Sequence, residues 1–157
     1  MLEIDIPGWR SLRLEHLVLD VNGTLAVDGR LVDGVAELVR ALGSQLTVHL
    51  LSADTHGRLD EIVLALEVPA TRLRPGGGEA EQKAEFVRQL DAASVAAIGN
   101  GANDVEMLRA LALSIAVLGG EGLATAALPE ADVLVASPVA ALGLLSHPRR
   151  LVATLRR

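Results

Sequence analysis

Asp20 and the residues that follow it have side chains that could carry out phosphoryl transfer. The stretch LVLDVNGTL, residues 17–25, is a short apolar run that reaches Asp20 and is followed by Asn22, Gly23 and Thr24. A carboxylate here can act as a nucleophile that accepts a phosphoryl group, while Gly23 would let backbone N–H groups approach a phosphate and Thr24 would add a hydroxyl. Two simpler interpretations remain. Asn-Gly between apolar residues is also a hairpin signal, and a strand-terminal Asp often caps the next turn.

A second polar cluster lies in GNGANDVEML, residues 99–108. Asp104 could simply occupy the first turn of a helix, where the helix dipole favours a negative charge. If Asp104 instead meets Asp20, the two carboxylates repel each other unless a cation lies between them. Asn100 or water would then complete the oxygen shell that magnesium prefers. Because both motifs occur in one chain, we favour the magnesium interpretation.

Lys83 is the one lysine among the 14 lysine and arginine residues of the chain. A lysine on a helix is usually solvated, but Lys83 falls within the apolar stripe of its predicted helix. That stripe consists of Ala80, Ala84, Val87 and Leu90. A buried ammonium needs counter-charge, which Asp20 and Asp104 would supply. A compact point charge beside a carboxylate is what phosphoryl transfer requires.

Ser52 is the fourth candidate, in the stretch LLSADTHG, residues 50–57. Its hydroxyl could bind a phosphate oxygen, or it could only cap a helix that begins near Thr55. The sequence leaves both interpretations open.

The elements that must position these side chains alternate between strand and helix. The sequence predicts a ribbon of LEIDIP and SLRLEH, a strand at 16–20 and a hairpin at Asp28-Gly29. Next come a helix at 34–42 with Asp33 as N-cap, a strand at 46–52, a helix from Leu59 to Leu66, an extended piece at 72–74 and a helix at 79–90. The second half is predicted to contain a strand at 94–100, a helix at 103–112, a strand at 113–119, a short Ala-rich helix before Pro129, a strand at 131–136, and a helical tail that Ser137 caps and His147-Pro148 interrupts. This alternation implies an open, mainly parallel α/β sheet with right-handed crossovers. Ligands bind such sheets beyond the carboxyl ends of the strands, so Asp20, Ser52 and the cluster after Gly99 should converge on one edge.

The composition argues against several classes of protein. The 157 residues suit one domain with a single core, and 50% of them are apolar although the only aromatic residues are Trp9 and Phe86. The net charge of -6 and the near absence of base-stacking aromatics disfavour nucleic-acid binding. The chain has no cysteine for a disulfide or a thiolate metal site, no apolar run long enough to span a membrane and no leader-like N-terminus. We therefore expect a soluble cytoplasmic protein with no nucleic-acid or membrane partner.

Together these motifs resemble those of the haloacid dehalogenase superfamily of phosphotransferases. Asp20-Val-Asn-Gly-Thr24 is similar to the first motif, Ser52 to the second, Lys83 to the third and Gly99-Asn-Gly-Ala-Asn-Asp104 to the fourth, in the family's order. A closer resemblance is to soluble relatives of the P-type ATPase phosphorylation domain, which have Thr-Gly-Asp where Ser52-Ala-Asp54 stands. The resemblance implies a Rossmann-like three-layer αβα sandwich with a small flap, here LAVDGRL.

The resemblance also implies roles for these residues. Asp20 would be the nucleophile, Ser52 and Lys83 would hold the transferring phosphate, and Asp104 would bind magnesium. The backbone carbonyl of Asn22 usually joins that metal shell. The predicted catalytic residues are Asp20, Asn22, Ser52 and Lys83; the predicted phosphate-binding residues are Gly23, Thr24, Ser52, Ala53, Lys83 and Asn103; and the predicted magnesium ligands are Asp20, Asn22, Asn100 and Asp104.

Two departures from the family's pattern bear on activity. Most phosphatases of the superfamily have Asp where Asn22 stands, and this Asp protonates the leaving group and later activates water. Loss of a general acid or base typically costs about a hundred- to ten-thousand-fold in rate, so we expect anhydride or acyl phosphate substrates and a slow second step. P-type ATPases likewise lack an acid at this position. Asn100 in place of Asp removes a negative charge from the metal region and should weaken magnesium binding.

The gaps between the motifs leave no room for a cap domain, because 31 residues separate Asp20 from Ser52 and 30 separate Ser52 from Lys83. We therefore expect an open site that a large substrate or a neighbouring subunit covers, and the apolar composition favours a homo-oligomer. The expected partner is a phosphorylated small molecule or a phosphoprotein.

Two other functions remain open. With Asn22 and Asn100 in place of acids, the chain could be a binding or regulatory module that captures phosphate with negligible turnover. A response-regulator receiver domain also carries a phosphorylated Asp, but it has an acidic pair after its first strand and its nucleophile after the third, unlike the order here. The sequence has no Gly-x-x-x-x-Gly-Lys loop, which disfavours a nucleotide-binding P-loop.

Overall fold

The computed structural model describes residues 1–109 and 111–157. Its strands and helices are, in chain order, β1 Leu2–Ile6, β2 Arg10–Leu14, β3 His16–Asp20, β4 Ala26–Val27, β5 Arg30–Leu31, α1 Val35–Gly43, β6 Thr47–Ser52, α2 Leu59–Leu66, β7 Ala70–Arg72, α3 Glu79–Gln89, β8 Val95–Gly99, α4 Val105–Leu108, β9 Leu113–Val117, β10 Val133–Val135, α5 Pro138–Ser146 and α6 Pro148–Leu155. Short 3-10 helices cover Ala92–Ser94, Ala102–Asp104 and Thr125–Glu130.

The central sheet is parallel, and within the described residues it has six strands in the order β10-β9-β8-β3-β6-β7. β3 lies between β8 and β6, with Leu19 opposite both Ile98 and Leu50. Strands that are buried on both faces need helices on both sides of the sheet. Here α1, α2, α5 and α6 pack on one side, and α3 and α4 pack on the other. The predicted Rossmann-like three-layer α/β architecture is therefore confirmed.

Side chains on the two faces of β3 enter different cores. Leu17 and Leu19 join the larger core, which packs against α1, α2, α5, α6 and the β1–β2 ribbon. Val18 lies in the smaller core under α3 and α4. Since successive side chains of a strand point to opposite faces, Asp20 leaves β3 on the face of Val18. The strand's period of two thus directs Asp20 toward α3, the helix that carries Lys83.

Two antiparallel hairpins accompany the sheet, and both were predicted. The β1–β2 ribbon buries one side of each strand against the larger core. The flap consists of β4 and β5, and its turn is Asp28-Gly29. Both turn residues have positive φ, 50° and 73°, as tight hairpin turns of this kind require.

Helix α1 begins after Gly34 and not after an Asp33 cap, so that part of the prediction was wrong. Gly34 has φ 84° and no side-chain cap bond is present at this terminus. Val35, Val39 and Leu42 are the buried residues of α1. A short helix of this kind is held mainly by tertiary burial of one face, which makes a side-chain cap dispensable.

Two helices of the second half are shorter or tighter than predicted. The predicted helix at 103–112, whose residue 110 lies outside the described residues, is a 3-10 turn followed by the single-turn α4. The amide of Ala112 donates to Ala92 O, because the chain is already turning into β9. The segment around Pro129 is a 3-10 helix, Thr125–Glu130, that contains the proline and does not end before it as predicted.

The C-terminal helices agree with the sequence prediction. The Ser137 hydroxyl accepts a 3.1 Å hydrogen bond from Ala140 N at the start of α5. The helical conformation is interrupted at His147, and α6 begins at Pro148. Among the helices of the described residues, none is both long enough and apolar enough to cross a membrane.

Candidate active site

Asp20 is the last residue of β3 and its side chain is buried at the carboxyl edge of the sheet. Its Oδ1 lies 2.5 Å from Lys83 Nζ, and its Oδ2 accepts a 2.8 Å hydrogen bond from the Thr24 hydroxyl. The carboxylate is therefore held by side chains from two distant parts of the chain. Its orientation is fixed before any substrate arrives.

Gly23 makes the sharp turn that returns Thr24 to Asp20. It has φ 77°, and its N–H donates to Ala26 O over 2.8 Å. A Cβ at this position would lie 2.6 Å from Asn100 Nδ2, so the close approach requires glycine. Asn22 does not have the positive φ that a two-residue Asn-Gly hairpin turn requires, so the pair is not the hairpin turn that one interpretation suggested.

Lys83 is buried on α3, with a side chain only 1% exposed. Its ammonium donates to Asp20 Oδ1 over 2.5 Å, to Asp104 Oδ1 over 2.7 Å and to Asn103 Oδ1 over 3.3 Å. Burial by itself would lower the pKa of Lys83, but the charges and hydrogen bonds of Asp20 and Asp104 outweigh it and raise this pKa. Lys83 therefore stays a cation, and the solvated alternative is wrong because α3 packs this face against the sheet.

Asp104 is fully buried and ties the loop after β8 to Lys83. Its Oδ2 accepts hydrogen bonds from the backbone amides of Asn100 and Gly101, at 3.0 and 2.8 Å. With Lys83 on Oδ1, the carboxylate already has three donors. A carboxylate has about four lone-pair sites, so one site remains on Asp104 Oδ1.

The cluster carries more negative than positive charge, since two carboxylates share one ammonium. Burial, followed by the charge of Asp104, raises the pKa of Asp20 to about 7, although Lys83 and Thr24 oppose the shift. Such a raised pKa is typical of functional sites. A cation beside Asp20 would stabilise its ionised form.

Asn100 and Asp20 converge on one hydroxyl. Thr24 Oγ1 lies 2.8 Å from Asp20 Oδ2 and 3.0 Å from Asn100 Oδ1. The amide of Asn100 is oriented by its Nδ2, which donates to Gly122 O over 3.0 Å. A hydroxyl has one proton to donate. Thr24 can therefore donate to only one of the two oxygens at a time, and the other receives no hydrogen bond from it. Oxygens arranged in this way suit a hard cation.

Ser52 ends β6, the strand beside β3, and is 2% exposed. Its Oγ accepts hydrogen bonds from Asp54 N at 2.9 Å and from Asn22 Nδ2 at 3.2 Å. Ser52 does not cap α2, since it is the carboxylate of Asp54 that accepts from the amide of Leu59, at 2.9 Å. With two donors on its oxygen, Ser52 has its own proton to offer to a ligand.

The remaining predicted residues lie at the same edge. Ala53 follows Ser52 and is half-buried, and Asn103 is exposed beside the Lys83 ammonium. The predicted positions thus follow the carboxyl ends of β3, β6 and β8, and α3 adds Lys83 to them. Among the described residues, no group of three or more His, Cys, Asp or Glu side chains is placed to hold a metal ion, so a cation here would depend on amide and carbonyl oxygens as well.

Sequence analysis missed Glu121, in the loop after β9. Its Oε1 accepts a 2.8 Å hydrogen bond from Asp28 N in the flap, and its Oε2 would lie 3.1 Å from a Cβ on Gly23. The rule that located the other residues also applies to it, because Gly119-Gly-Glu-Gly122 follows the carboxyl end of a parallel strand.

The model of the haloacid dehalogenase-like hydrolase family matches residues 81–130, which include Lys83 and Asp104. An uncharacterized protein of Methanocaldococcus jannaschii is 44% identical over 39 residues, which are 25% of this chain and 89% of that relative.

Several solved structures share the fold at low sequence identity. The 3-deoxy-D-manno-octulosonate 8-phosphate phosphatase of Moraxella catarrhalis, in complex with magnesium, phosphate and KDO, has a TM-score of 0.67 and 15% identity over 91% of this chain and 94% of that one. The cobalt-bound deoxy-D-mannose-octulosonate 8-phosphate phosphatase of Haemophilus influenzae has a TM-score of 0.64 and 16% identity over 80% and 79%. A phosphoserine phosphatase in apo form has a TM-score of 0.63 and 14% identity over 86% and 99%.

The structural neighbours agree with the fold, and the family model covers the segment that supplies Lys83 and the Asn100–Asp104 loop. The match over residues 81–130 supports the haloacid dehalogenase-like hydrolase superfamily, and the solved neighbours share the fold.

Proposed function

We propose that this protein is a magnesium-dependent phosphohydrolase or phosphotransferase that works through an aspartyl-phosphate on Asp20. The observation that carries the proposal is the buried cluster in which the Lys83 ammonium lies between Asp20 and Asp104, 2.5 and 2.7 Å from their oxygens. A buried salt bridge contributes little to stability once desolvation is counted. A cluster of this kind at the ligand-binding edge of a parallel sheet therefore favours a catalytic role.

In the first step, an oxygen of Asp20 forms a bond to phosphorus while the bond from phosphorus to the leaving oxygen breaks, and the leaving oxygen keeps the electron pair. Lys83 holds the carboxylate in place and offsets the negative charge that gathers on the phosphoryl oxygens. The Ser52 hydroxyl donates to one of these oxygens. Asn103 and the residues Gly23, Thr24 and Ala53 complete the phosphate pocket.

In the second step, a water oxygen bonds to phosphorus while the bond from phosphorus to the Asp20 oxygen breaks. Asp20 keeps the electron pair and leaves as a carboxylate, and the proton of the water passes to the released phosphate or to solvent. Asn22 has no carboxyl group with which to take the proton of this water or to protonate a leaving group. We therefore expect fast capture from donors whose leaving group needs no proton, and slow release of the phosphoryl group.

The oxygens near Asp20 fit a magnesium ion. Asp20 Oδ2, Asn100 Oδ1, the backbone carbonyl of Asn22 and the carboxylate of Asp104 would hold it. When bound, magnesium neutralises phosphoryl charge and favours the ionised form of Asp20.

The proposed substrate is a phosphorylated small molecule. Two of the solved neighbours act on such molecules by name, a sugar-acid phosphate and phosphoserine. The resemblance to soluble relatives of the P-type ATPase phosphorylation domain belongs to this proposal too, because Asn22 and the Ser52-Ala-Asp54 segment suit acyl phosphate donors. A phosphoprotein substrate remains the alternative.

The test is capture of the phosphoryl group. The protein is incubated with magnesium and acetyl phosphate, and its intact mass is measured. We expect one added phosphoryl group in the wild type and none in Asp20→Asn. Asp5→Asn, at an exposed position of β1, is the matched control and should be modified like the wild type.

A second candidate function is a regulatory module that binds phosphate without turnover, and Asn22 with Asn100 in place of acids favours it. If no adduct forms and no donor is hydrolysed, this second function replaces the first. Rapid steady-state hydrolysis of an alkyl phosphate by the wild type would contradict the role given to Asn22.

A further inference from the structure

The loop after β9 carries a side chain that the proposed mechanism does not use. Glu121 is exposed, and its Oε1 accepts a 2.8 Å hydrogen bond from the backbone amide of Asp28. Asp28 is the first residue of the flap turn, at φ 50°. A hydrogen bond to an ionised carboxylate is stronger than one between neutral groups, so Glu121 is a suitable anchor for this turn.

The glycines around Glu121 let the loop approach the flap closely. A Cβ on Gly120 would lie 3.1 Å from a methyl group of Val27, in β4. A Cβ on Gly119 would lie 3.3 Å from the carbonyl oxygen of Gly23. Side chains at either position would press the loop away from the flap and from the turn after Asp20. The pattern Gly-Gly-Glu-Gly therefore presents one long side chain from a loop that otherwise lies flat.

The same loop also holds the site. The carbonyl of Gly122 accepts from Asn100 Nδ2 over 3.0 Å. Asn100 Nδ2 and Glu121 Oε2 are both neighbours of Gly23. A Cβ on Gly23 would lie 2.6 Å from the first atom and 3.1 Å from the second. Glu121 is therefore next to the residues that surround Asp20, and it connects them to the flap.

The other side of the flap turn rests on the loop after β6. A Cβ on Gly29 would lie 2.8 Å from His56 Cβ. The flap thus extends between the loops that follow β9 and β6, which lie on either side of β3 in the sheet. Asp20 ends β3 between them, so the flap lies across the mouth of the site.

We propose that Glu121 is a positioning residue that holds the flap over Asp20, where it limits the access of water. The contact with the flap stands by itself, and its catalytic consequence rests on the proposed function. The expectation of a site covered only by a large substrate or a neighbouring subunit is then replaced in part, because the chain supplies its own cover. An acyl phosphate on Asp20 gains the most from this cover, since water would hydrolyse it.

The first test measures the flap alone, in the full-length protein without substrate. Hydrogen exchange of the Asp28 amide, followed by NMR, should be about fivefold faster in Glu121→Ala, because one hydrogen bond of roughly 1 kcal/mol is lost. Glu121→Gln keeps a neutral acceptor oxygen, so its exchange should fall between those of the wild type and Glu121→Ala. Glu3→Ala, which removes an exposed carboxylate from the ribbon, is the control. Equal exchange in Glu121→Ala and wild type would overturn the proposal.

The second test measures the lifetime of the phosphoenzyme formed from acetyl phosphate. Once excess donor is removed, Glu121→Ala should lose its phosphoryl group faster than the wild type, and the rate of Glu121→Gln should fall between the two. An unchanged lifetime despite a faster-exchanging flap would refute the catalytic consequence. If the wild type forms no phosphoenzyme at all, the proposed function fails, while the exchange of Asp28 still decides whether Glu121 holds the flap.

Discussion

At the scale of single residues, the burial of Lys83 is the observation with the strongest chemical meaning. Its ammonium contacts Asp20 and Asp104, and the side chain is almost wholly removed from water. Lysine supplies a compact point charge, whereas the planar guanidinium of arginine would need a wider space. This explains why the one lysine of an arginine-rich chain occurs at this position.

Asn22 gives a prediction at the same scale. Its Nδ2 lies 3.2 Å from Ser52 Oγ, so a carboxyl group at position 22 would stand beside the transferring phosphate. We expect Asn22→Asp to raise the rate of alkyl phosphate hydrolysis at least about tenfold, because a general acid or base typically contributes a hundredfold or more. Steady-state release of phosphate measures it.

The control for this variant is Asn22→Ala, which removes the amide and adds no acid. Its rate on the alkyl phosphate should not rise. If the rate of Asn22→Asp also fails to rise, the site lacks the room or the water for acid-base chemistry, and the account of Asn22 as a missing acid is wrong.

At the scale of elements, the loop between β8 and α4 is the part that shapes the site. It folds back so that Asp104 lies against Gly99, the last residue of β8. A Cβ on Gly99 would lie 2.6 Å from Asp104 Cγ. Since Asp104 is fixed by Lys83 and two backbone amides, it has little freedom to move aside.

We therefore expect Gly99→Ala to destabilise the protein by about 1–3 kcal/mol, the usual cost of overpacking a buried position. The free energy of unfolding in urea measures this. The variant should also form less phosphoenzyme, because Asp104 positions Lys83.

Gly43→Ala is the matched control for Gly99→Ala. Gly43 is the last residue of α1, and a Cβ there would meet nothing within 4 Å. Its stability should be unchanged or slightly higher, since Ala favours a helix over Gly. Equal stability of the two variants would mean that Asp104 is free to shift.

At the scale of the whole molecule, the sheet brings a pair of histidines together away from the proposed site. His16 Nδ1 and His49 Nε2, on β3 and β6, are 3.1 Å apart, and Phe86 of α3 lies against His49. Burial, and next the charge of His16, lower the pKa of His49 below its usual value of 6.5. The native protein therefore disfavours a proton here, and the unfolded chain does not.

This difference predicts how stability depends on pH. Above about pH 6.5, the pKa of His49 in the unfolded chain, His49 does not change the free energy of unfolding with pH. As the pH falls below that value, the unfolded chain takes up the proton before the native protein does, and the free energy of unfolding decreases. The free energy of unfolding of His49→Gln should decrease less over the same pH range. Urea unfolding at several values between about pH 5 and pH 8 measures it.

His56→Gln, which changes an exposed histidine, is the control and should keep the wild-type slope. If the His49→Gln slope matches that of the wild type, protonation of His49 does not destabilise the native state. The predicted homo-oligomer also belongs to this scale and remains a prediction.

The sequence by itself determined the alternation of strands and helices, the carboxyl edge at which Asp20, Ser52 and the Asn100–Asp104 loop meet, and the burial of Lys83. These features depend on local periodicity and on a general rule of parallel sheets, so they can be predicted without coordinates. The boundaries around 103–112 and the absence of an Asp33 cap could not, because tertiary packing decided them.

Only the tertiary structure decided which groups satisfy one another at the site. It gave Asp104 three donors, assigned the start of α2 to Asp54 rather than Ser52, and placed Glu121 against the flap. The physical reason is that these hydrogen bonds depend on distances and directions set by packing, mostly between segments far apart in the chain. Sequence periodicity carries no information about such pairings.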